Sequence, residues 1–150
     1  MWIVIGLMLV QPSAAKAASV DACALVASAD VHRVLGVDVK ERRPIAPGER
    51  GILSQCYVDT GSARSVSIAV MEDTDAKEAK DTKEREPDAR RIDGVGDEAW
   101  WSGTRVAGAL YVRRGDRLIR VSVGGIATEP DRIEKSRELA AAALRRLTGR

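Results

Sequence analysis

The side chains that could carry nucleophilic or acid–base chemistry are few in this chain. Its 150 residues contain one histidine, His32, and two cysteines, Cys23 and Cys56. Covalent catalysis needs a nucleophile within reach of a base, and a lone histidine in a short helical pattern is typical of an exposed residue. The inventory therefore favours a non-catalytic protein without a cofactor, and it gives a histidine- or cysteine-rich metal site too few ligands.

The acidic pair Asp97 and Glu98 is the main candidate for hydrolytic chemistry. Adjacent residues in a strand point to opposite faces, so the two carboxylates cannot act there as a paired acid and base. A turn at this position would bring them together. Hydrolysis by carboxylates near Asp97 therefore stays open as the alternative function.

Aromatic and arginine side chains on the predicted strands are the candidate binding residues. Trp100 and Trp101 are adjacent, so we expect one in the core and the other exposed, where it can stack on a sugar or a partner. We expect an arginine strip on the sheet's outer face, formed by Arg64, Arg105, Arg113, Arg117 and Arg120; a plain solvated surface is the simpler interpretation. Tyr, Trp and Arg are enriched at binding hot spots, which selects Trp100, Trp101, Tyr111, Arg113, Arg117 and Arg120.

Length and charge limit the possible classes of protein. The chain is long enough for one domain, and 45% hydrophobic with 31% charged residues is ordinary for a globular fold. Its 24 basic and 22 acidic residues give a net charge of +2. A dedicated nucleic-acid binder would show a strong basic excess, so no nucleic-acid partner is expected.

The N-terminus has the pattern of a secretory signal peptide. An apolar run from Trp2 to Val10 precedes the small-residue sequence Ala15-Lys16-Ala17. The run is too short for a membrane-spanning helix, which needs about 20 apolar residues. We therefore predict a signal peptide over 1–17 and a single domain over 18–150, periplasmic or secreted. The alternatives are cleavage after Ala18, a buried N-terminal strand, and lipidation of Cys23 after a weak lipobox.

Export favours a disulfide between Cys23 and Cys56, since oxidising compartments preserve such bonds. The bridge would stabilise the fold by about 3–4 kcal/mol in the chain-entropy model. Two free buried thiols are the alternative.

Hydrophobic spacing predicts helices at both ends of the mature chain and one in the middle. The first is capped by Ser28 and ends at Gly36, with Asp21 starting an earlier turn. A charged, alanine-rich segment over 73–86 reads as an exposed helix or as disorder. The last helix begins at Pro130, and its predicted core stripe consists of Ile133, Ala140, Ala143, Leu144 and Leu147.

Alternating apolar residues predict two antiparallel hairpins, with a further strand over 37–42 and a loop over 44–51. In the first hairpin, Cys56 can share a face with Val66 only if the loop has three or five residues. In the second, a two-residue turn at Gly115-Asp116 makes Val112 oppose Ile119. The predicted fold class is α+β: an antiparallel sheet of two or more hairpins packed by N-terminal, middle and C-terminal helices.

Short motifs along the mature chain resemble a known type of bacterial envelope domain. They are Asp21-x-Cys23, Leu35-Gly36, Cys56-Tyr57, Gly94-x-Gly96-Asp97-Glu98-Ala99-Trp100 and Leu110-Tyr111-Val112-Arg113-x-Gly115-Asp116. The pattern is similar to small secreted or lipid-anchored domains of unknown function, notably the actinobacterial lipoproteins with a characteristic cysteine pair, and in outline to the Mog1/PsbP type. The resemblance implies the cysteine pairing and no catalytic residues. It suggests a binding or structural accessory of the envelope, with an envelope protein or an anionic envelope polymer as partner.

Signal peptidase is expected to cleave the exported chain after Ala17, because Ala15-Lys16-Ala17 places small residues at the two positions that the enzyme reads. N-terminal sequencing of the mature protein checks this. An intact Met1, or a lipid on Cys23, would contradict the prediction.

Overall fold

A computed structural model describes residues 20–48, 51–72 and 89–148. The predicted signal peptide over 1–17 and the predicted middle helix over 73–86 lie outside the described residues. The helices are α1 (Ala22–Leu25), α2 (Ser28–Leu35) and α3 (Glu129–Thr148). The strands are β1 (Glu41–Ile45), β2 (Ile52–Asp59), β3 (Ser65–Glu72), β4 (Arg90–Arg91), β5 (Glu98–Gly103), β6 (Gly108–Arg114) and β7 (Arg117–Gly124).

The strands form one seven-stranded antiparallel sheet in the order β1-β2-β3-β7-β6-β5-β4. The α+β class with an antiparallel sheet of hairpins is therefore confirmed. In β1-β2-β3 and in β7-β6-β5-β4, each strand pairs with the strand next to it in the sequence. The pairing of β3 with β7 joins these two parts of the sheet.

Both predicted hairpin registers are confirmed. In the second hairpin Val112 opposes Ile119 and Arg114 opposes Arg117 across the turn. In the first, Asp59 opposes Ser65, which leaves a five-residue loop. The strand alternation therefore places the apolar residues of both hairpins on one face, as a half-buried sheet requires.

The core lies between that face and the helices. Val58, Val66, Val112 and Ile119 are fully buried there, together with the side of α3 that the sequence predicted. Of the predicted stripe, Ala140, Ala143 and Leu144 are buried, and Ile133 and Leu147 pack against the core while partly exposed. An ion pair between Asp30 and Arg146, at 2.6 Å, holds α2 against α3.

Two local predictions near the N-terminus are wrong in detail. Ser28 does not cap α2: the N-cap is Ala27, and the Ser28 hydroxyl instead accepts a hydrogen bond from Arg42 at 2.9 Å. The strand predicted over 37–42 lies at Glu41–Ile45, which brings Pro44 into it. Proline is tolerated there because β1 is an edge strand and one side of its ladder needs no donor.

The predicted turn at Asp21 and the predicted disulfide are both confirmed. Asp21 caps α1 by accepting a hydrogen bond from the Cys23 amide at 2.9 Å. Cys23 is bonded to Cys56, with a Cα–Cα distance of 5.1 Å. Such a bond is typical of proteins outside the reducing cytoplasm. In the part of the chain that the structure describes, no helix is long and apolar enough to cross a membrane.

Replacing Cys56 with Ser should lower the free energy of unfolding by about 2–5 kcal/mol, because the bridge restricts the unfolded chain. Urea denaturation measures the loss. The matched variants are C23S and the C23S/C56S double mutant, which should lose a similar amount rather than twice as much. An unchanged midpoint in C23S would argue against the bridge.

Replacing Ile119 with Ala should cost about 2–5 kcal/mol, since the fully buried side chain would leave a cavity under α3. The conservative variant I119V should cost about 0.5–1.5 kcal/mol. Equal stability of I119A and the parent chain in urea denaturation would mean that this register does not exist in solution.

Candidate functional site

The face of the sheet opposite the core is the candidate binding surface, and we call it the outer face. Strand alternation assigns to it Gln55, Tyr57, Ser67, Ala69, Trp100, Tyr111, Arg113, Leu118, Arg120 and Ser122. The core cluster, which contains the buried residues of α1, α2 and α3, lies on the other side. Within residues 20–48, 51–72 and 89–148, no helix belongs to the outer face.

Trp100 and Tyr111 are neighbours on the outer face, on paired strands β5 and β6. Their rings are stacked, with centroids 5.5 Å apart and planes 6° from parallel. Trp100 is only 6% exposed, so the expectation that one tryptophan is exposed is wrong. Tyr111 is half-buried, and its ring therefore offers the accessible aromatic surface of this pair.

Trp101 points to the opposite side of the sheet, as the alternation predicted. It is 1% exposed and belongs to the core cluster. It therefore cannot contribute to a binding surface on the outer face.

The structure places two of the predicted arginines, Arg113 and Arg120, on the outer face. Arg113 forms an ion pair with Glu98, its partner in the register. Arg120 lies between Ala69 and Tyr111 in the register, and no acidic partner is found for it among the described residues. Arg120 is therefore the cation of this surface that is most available to a ligand.

The other three arginines do not join the predicted strip. Arg117 has the same parity as Ile119 and so lies on the helix side of β7, at its first residue. Arg64 lies in the loop between β2 and β3, and its guanidinium donates to the carbonyl of Leu35 at the end of α2. Arg105 lies in the turn between β5 and β6. Arg64 and Arg105 were assigned wrongly because loop residues have no fixed face, whereas the alternation of β7 itself places Arg117 on the helix side.

Arg43 and Tyr57 belong to the outer face, although the sequence argument did not select them. The Arg43 guanidinium lies 5.7 Å from the centre of the Tyr57 ring and pairs with Glu41 at 3.1 Å and Asp59 at 2.9 Å. The hydrogen bond from Arg43 to Glu41 and the negative charge of Glu41 raise the pKa of Arg43, and Asp59 raises it to a smaller extent. A correct prediction of β1 would have revealed this pair, because Arg43 then opposes Tyr57.

Asp59 ends β2 and holds the hairpin loop. Its carboxylate accepts a hydrogen bond from the Gly61 amide at 2.8 Å. That bond, with the charge of Arg43, holds the pKa of Asp59 below its ordinary value. The carboxylate therefore has a structural position at the edge of the outer face.

A row of small side chains lies beside the row that contains Arg120 and Tyr111. They are Ser67, Ser122, Ala109 and Ser102, which follow one another across β3, β7, β6 and β5. Because these residues are short, the side chains of Arg120 and Tyr111 in the neighbouring row extend further from the sheet. The outer face thus has a low strip beside Arg120 and Tyr111, with Tyr57 at its β2 end.

Asp97 and Glu98 have separate structural contacts. The Asp97 carboxylate accepts a hydrogen bond from the Gly115 amide at 2.8 Å, and the Asp97 amide donates to the carbonyl of Arg113 at 2.8 Å. Gly96 permits this approach, since a Cβ there would lie 2.6 Å from the same carbonyl oxygen. The segment therefore fastens the β6–β7 turn, while Glu98 pairs with Arg113.

His32 is exposed, as its sequence context predicted, and its Nδ1 lies 2.8 Å from Asp38. It lies in α2, whereas Asp97 precedes β5. No group of three or more potential metal ligands occurs in the described residues.

Comparisons with protein-family models, with curated proteins and with solved structures found no match for this chain. What the structure shares with the envelope domains is a disulfide-bonded cysteine pair and an antiparallel α+β sheet. No family is identified.

Replacing Asp97 with Ala should lower stability by about 0.5–1.5 kcal/mol, because the Gly115 amide loses its acceptor. D97N keeps an oxygen acceptor and should retain most of the stability. Urea denaturation of both variants checks this; equal losses in D97A and D97N would mean that the negative charge, and not the hydrogen bond, matters.

Proposed function

We propose that this protein is an exported, non-catalytic binding module of the cell envelope that takes a protein partner on its outer face. The observation that carries the proposal is the position of Arg120 beside Tyr111, on a sheet face to which none of the described helices belongs. Arginine and tyrosine are among the residues most enriched at binding hot spots. The low strip beside them gives an extended segment of a partner room to lie on the sheet.

The charges on the outer face favour a protein over an anionic polymer. Arg113 is matched by Glu98, and Arg43 by Glu41 and Asp59. A polyanion is attracted by several uncompensated cations, whereas a protein hot spot needs one or two well-placed side chains. Arg120 is one such side chain.

The contacts of the acidic pair support the non-catalytic half of the proposal. Asp97 is bonded to backbone and Glu98 to Arg113, so each carboxylate has a structural task. A hydrolase acting on envelope material through Asp97 remains the alternative. Turnover of an envelope substrate by the purified protein that is lost in D97N, the variant that should retain most of the stability, would identify it.

The disulfide and the signal-peptide pattern together support a periplasmic or secreted location. The bond needs an oxidising compartment to persist, and the N-terminal pattern is that of a signal for export to such a compartment.

Replacing Arg120 with Glu should weaken partner binding by about 2 kcal/mol or more, as is typical of a hot-spot residue. The immobilised protein is exposed to envelope extract, and the retained material is quantified. R114E is the matched control: the same charge change on the same hairpin, but on the other side of β6. Thermal melts confirm that both variants fold.

Protease treatment of the extract separates the two kinds of partner. Retention that depends on Arg120 and disappears after proteolysis supports a protein partner. Retention that survives proteolysis and falls steeply with salt would indicate an anionic polymer instead. Equal retention by R120E, R114E and the parent chain would refute binding on the outer face.

A further inference from the structure

An open depression lies on the core side of the sheet, where β5 ends beside β4 and the N-terminus of α3. Its volume is about 510 Å³, within the range of roughly 300–1,000 Å³ that is usual for small-molecule sites. Its walls include Trp101, Gly103, Thr104, Arg105, Arg90 and Glu129. It is distinct from the outer face, since Trp101 points to the opposite side of the sheet.

Trp101 forms a wall of the depression with an unused hydrogen-bond donor. The residue is 1% exposed, and its Nε1 has no partner among the described residues. A buried indole N–H usually has an acceptor, and leaving one without costs free energy. The donor is therefore available to an acceptor that enters beside it.

Two glycines make room for the indole. A Cβ at Gly103 would lie 2.9 Å from Trp101 Nε1, and one at Gly108 would lie 2.3 Å from the ring atom Cζ2. Gly103 thus lies directly beside the N–H and itself lines the depression. Nε1 has almost no accessible surface, so an acceptor reaches it only when the chain beside it shifts.

Arg132 lies beneath the depression and binds the β5–β6 turn at its rim. It is 2% exposed, and its guanidinium donates to the carbonyls of Thr104 at 3.1 Å and Arg105 at 2.6 Å, and to that of Ile126 at 3.0 Å. These acceptors are all neutral, and among the described residues no carboxylate pairs with Arg132. Its positive charge therefore adds to the potential at the rim.

The side chains at the rim have an excess of positive charge. Arg90 opposes Trp101 in the register and forms an ion pair with Glu129. Arg105 is exposed, and no acidic partner is found for it among the described residues. Two guanidinium groups at the rim, with that of Arg132 beneath them, thus outnumber one carboxylate, which favours an anion. Glu129 disfavours a dianionic phosphate more than a monoanion, because it repels each added negative charge.

We propose that this depression binds the carboxylate group of a small ligand, with Arg105 pairing to the carboxylate and Trp101 Nε1 donating to an acceptor on the ligand. A free small acid and the C-terminus of a peptide share this chemistry. The site does not depend on the outer face, so either can fail while the other stands.

The indole N–H signal of Trp101 in ¹⁵N-labelled full-length chain reports binding directly. The probes are N-acetylalanine and N-acetyl-Ala-Ala-Ala, each compared with its C-terminal amide. The acids should shift the Trp101 indole and Gly103 amide signals in a saturable way, and the amides should not. A shift with N-acetylalanine indicates a small-acid site, and a shift with the tripeptide alone indicates a peptide C-terminus.

Replacing Arg105 with Ala should raise the dissociation constant about tenfold, as expected for a lost charge-assisted hydrogen bond. R114A is the matched control and should bind like the parent chain, and since Arg105 is an exposed turn residue its variant should fold. W101F assigns the indole signal. Equal shifts with acids and amides, no saturable shift with either acid, or unchanged affinity in R105A would overturn the proposal.

Discussion

The pairing of β3 with β7 is the constraint on which the rest of this fold depends. It runs from Ser65 opposite Gly124 to Glu72 opposite Arg117 and joins strands that are far apart in the chain. Glycine is needed just beyond its end: a Cβ at Gly125 would lie 2.2 Å from the carbonyl oxygen of Ala63. Without this junction the sheet would divide into β1-β2-β3 and β7-β6-β5-β4, and the core face would not be continuous.

The junction gives the sheet two faces with different roles. One is covered by α1, α2 and α3 and contains the core, and the disulfide secures its N-terminal corner through Cys56. The other is the outer face, where Arg120 on β7 lies between Tyr111 on β6 and Ala69 on β3 because β7 pairs with both strands. The proposed partner site and the core are therefore consequences of the same pairing.

Several charged side chains bind backbone groups at the ends of strands, which gives them a structural role. Asp97 binds the amide of Gly115, Asp59 binds that of Gly61, and Arg132 binds carbonyls of the β5–β6 turn. In each case a charged group satisfies backbone atoms that the ladder leaves unpaired, as buried or half-buried polar groups require. The Trp101 N–H is the contrasting case, because it lies beside a depression and lacks such a partner.

The sequence determined the α+β class, the Cys23–Cys56 bridge, both hairpin registers and the buried side of α3, because alternation, turn length and helical spacing are local properties of the chain. Only the tertiary structure decided that Tyr111 stacks over Trp100, that Arg64 leaves the outer face, and that Trp101 borders a depression with Arg90. These facts depend on which distant strands and loops become neighbours. Local spacing contains no such information, since the same pattern is compatible with several strand orders.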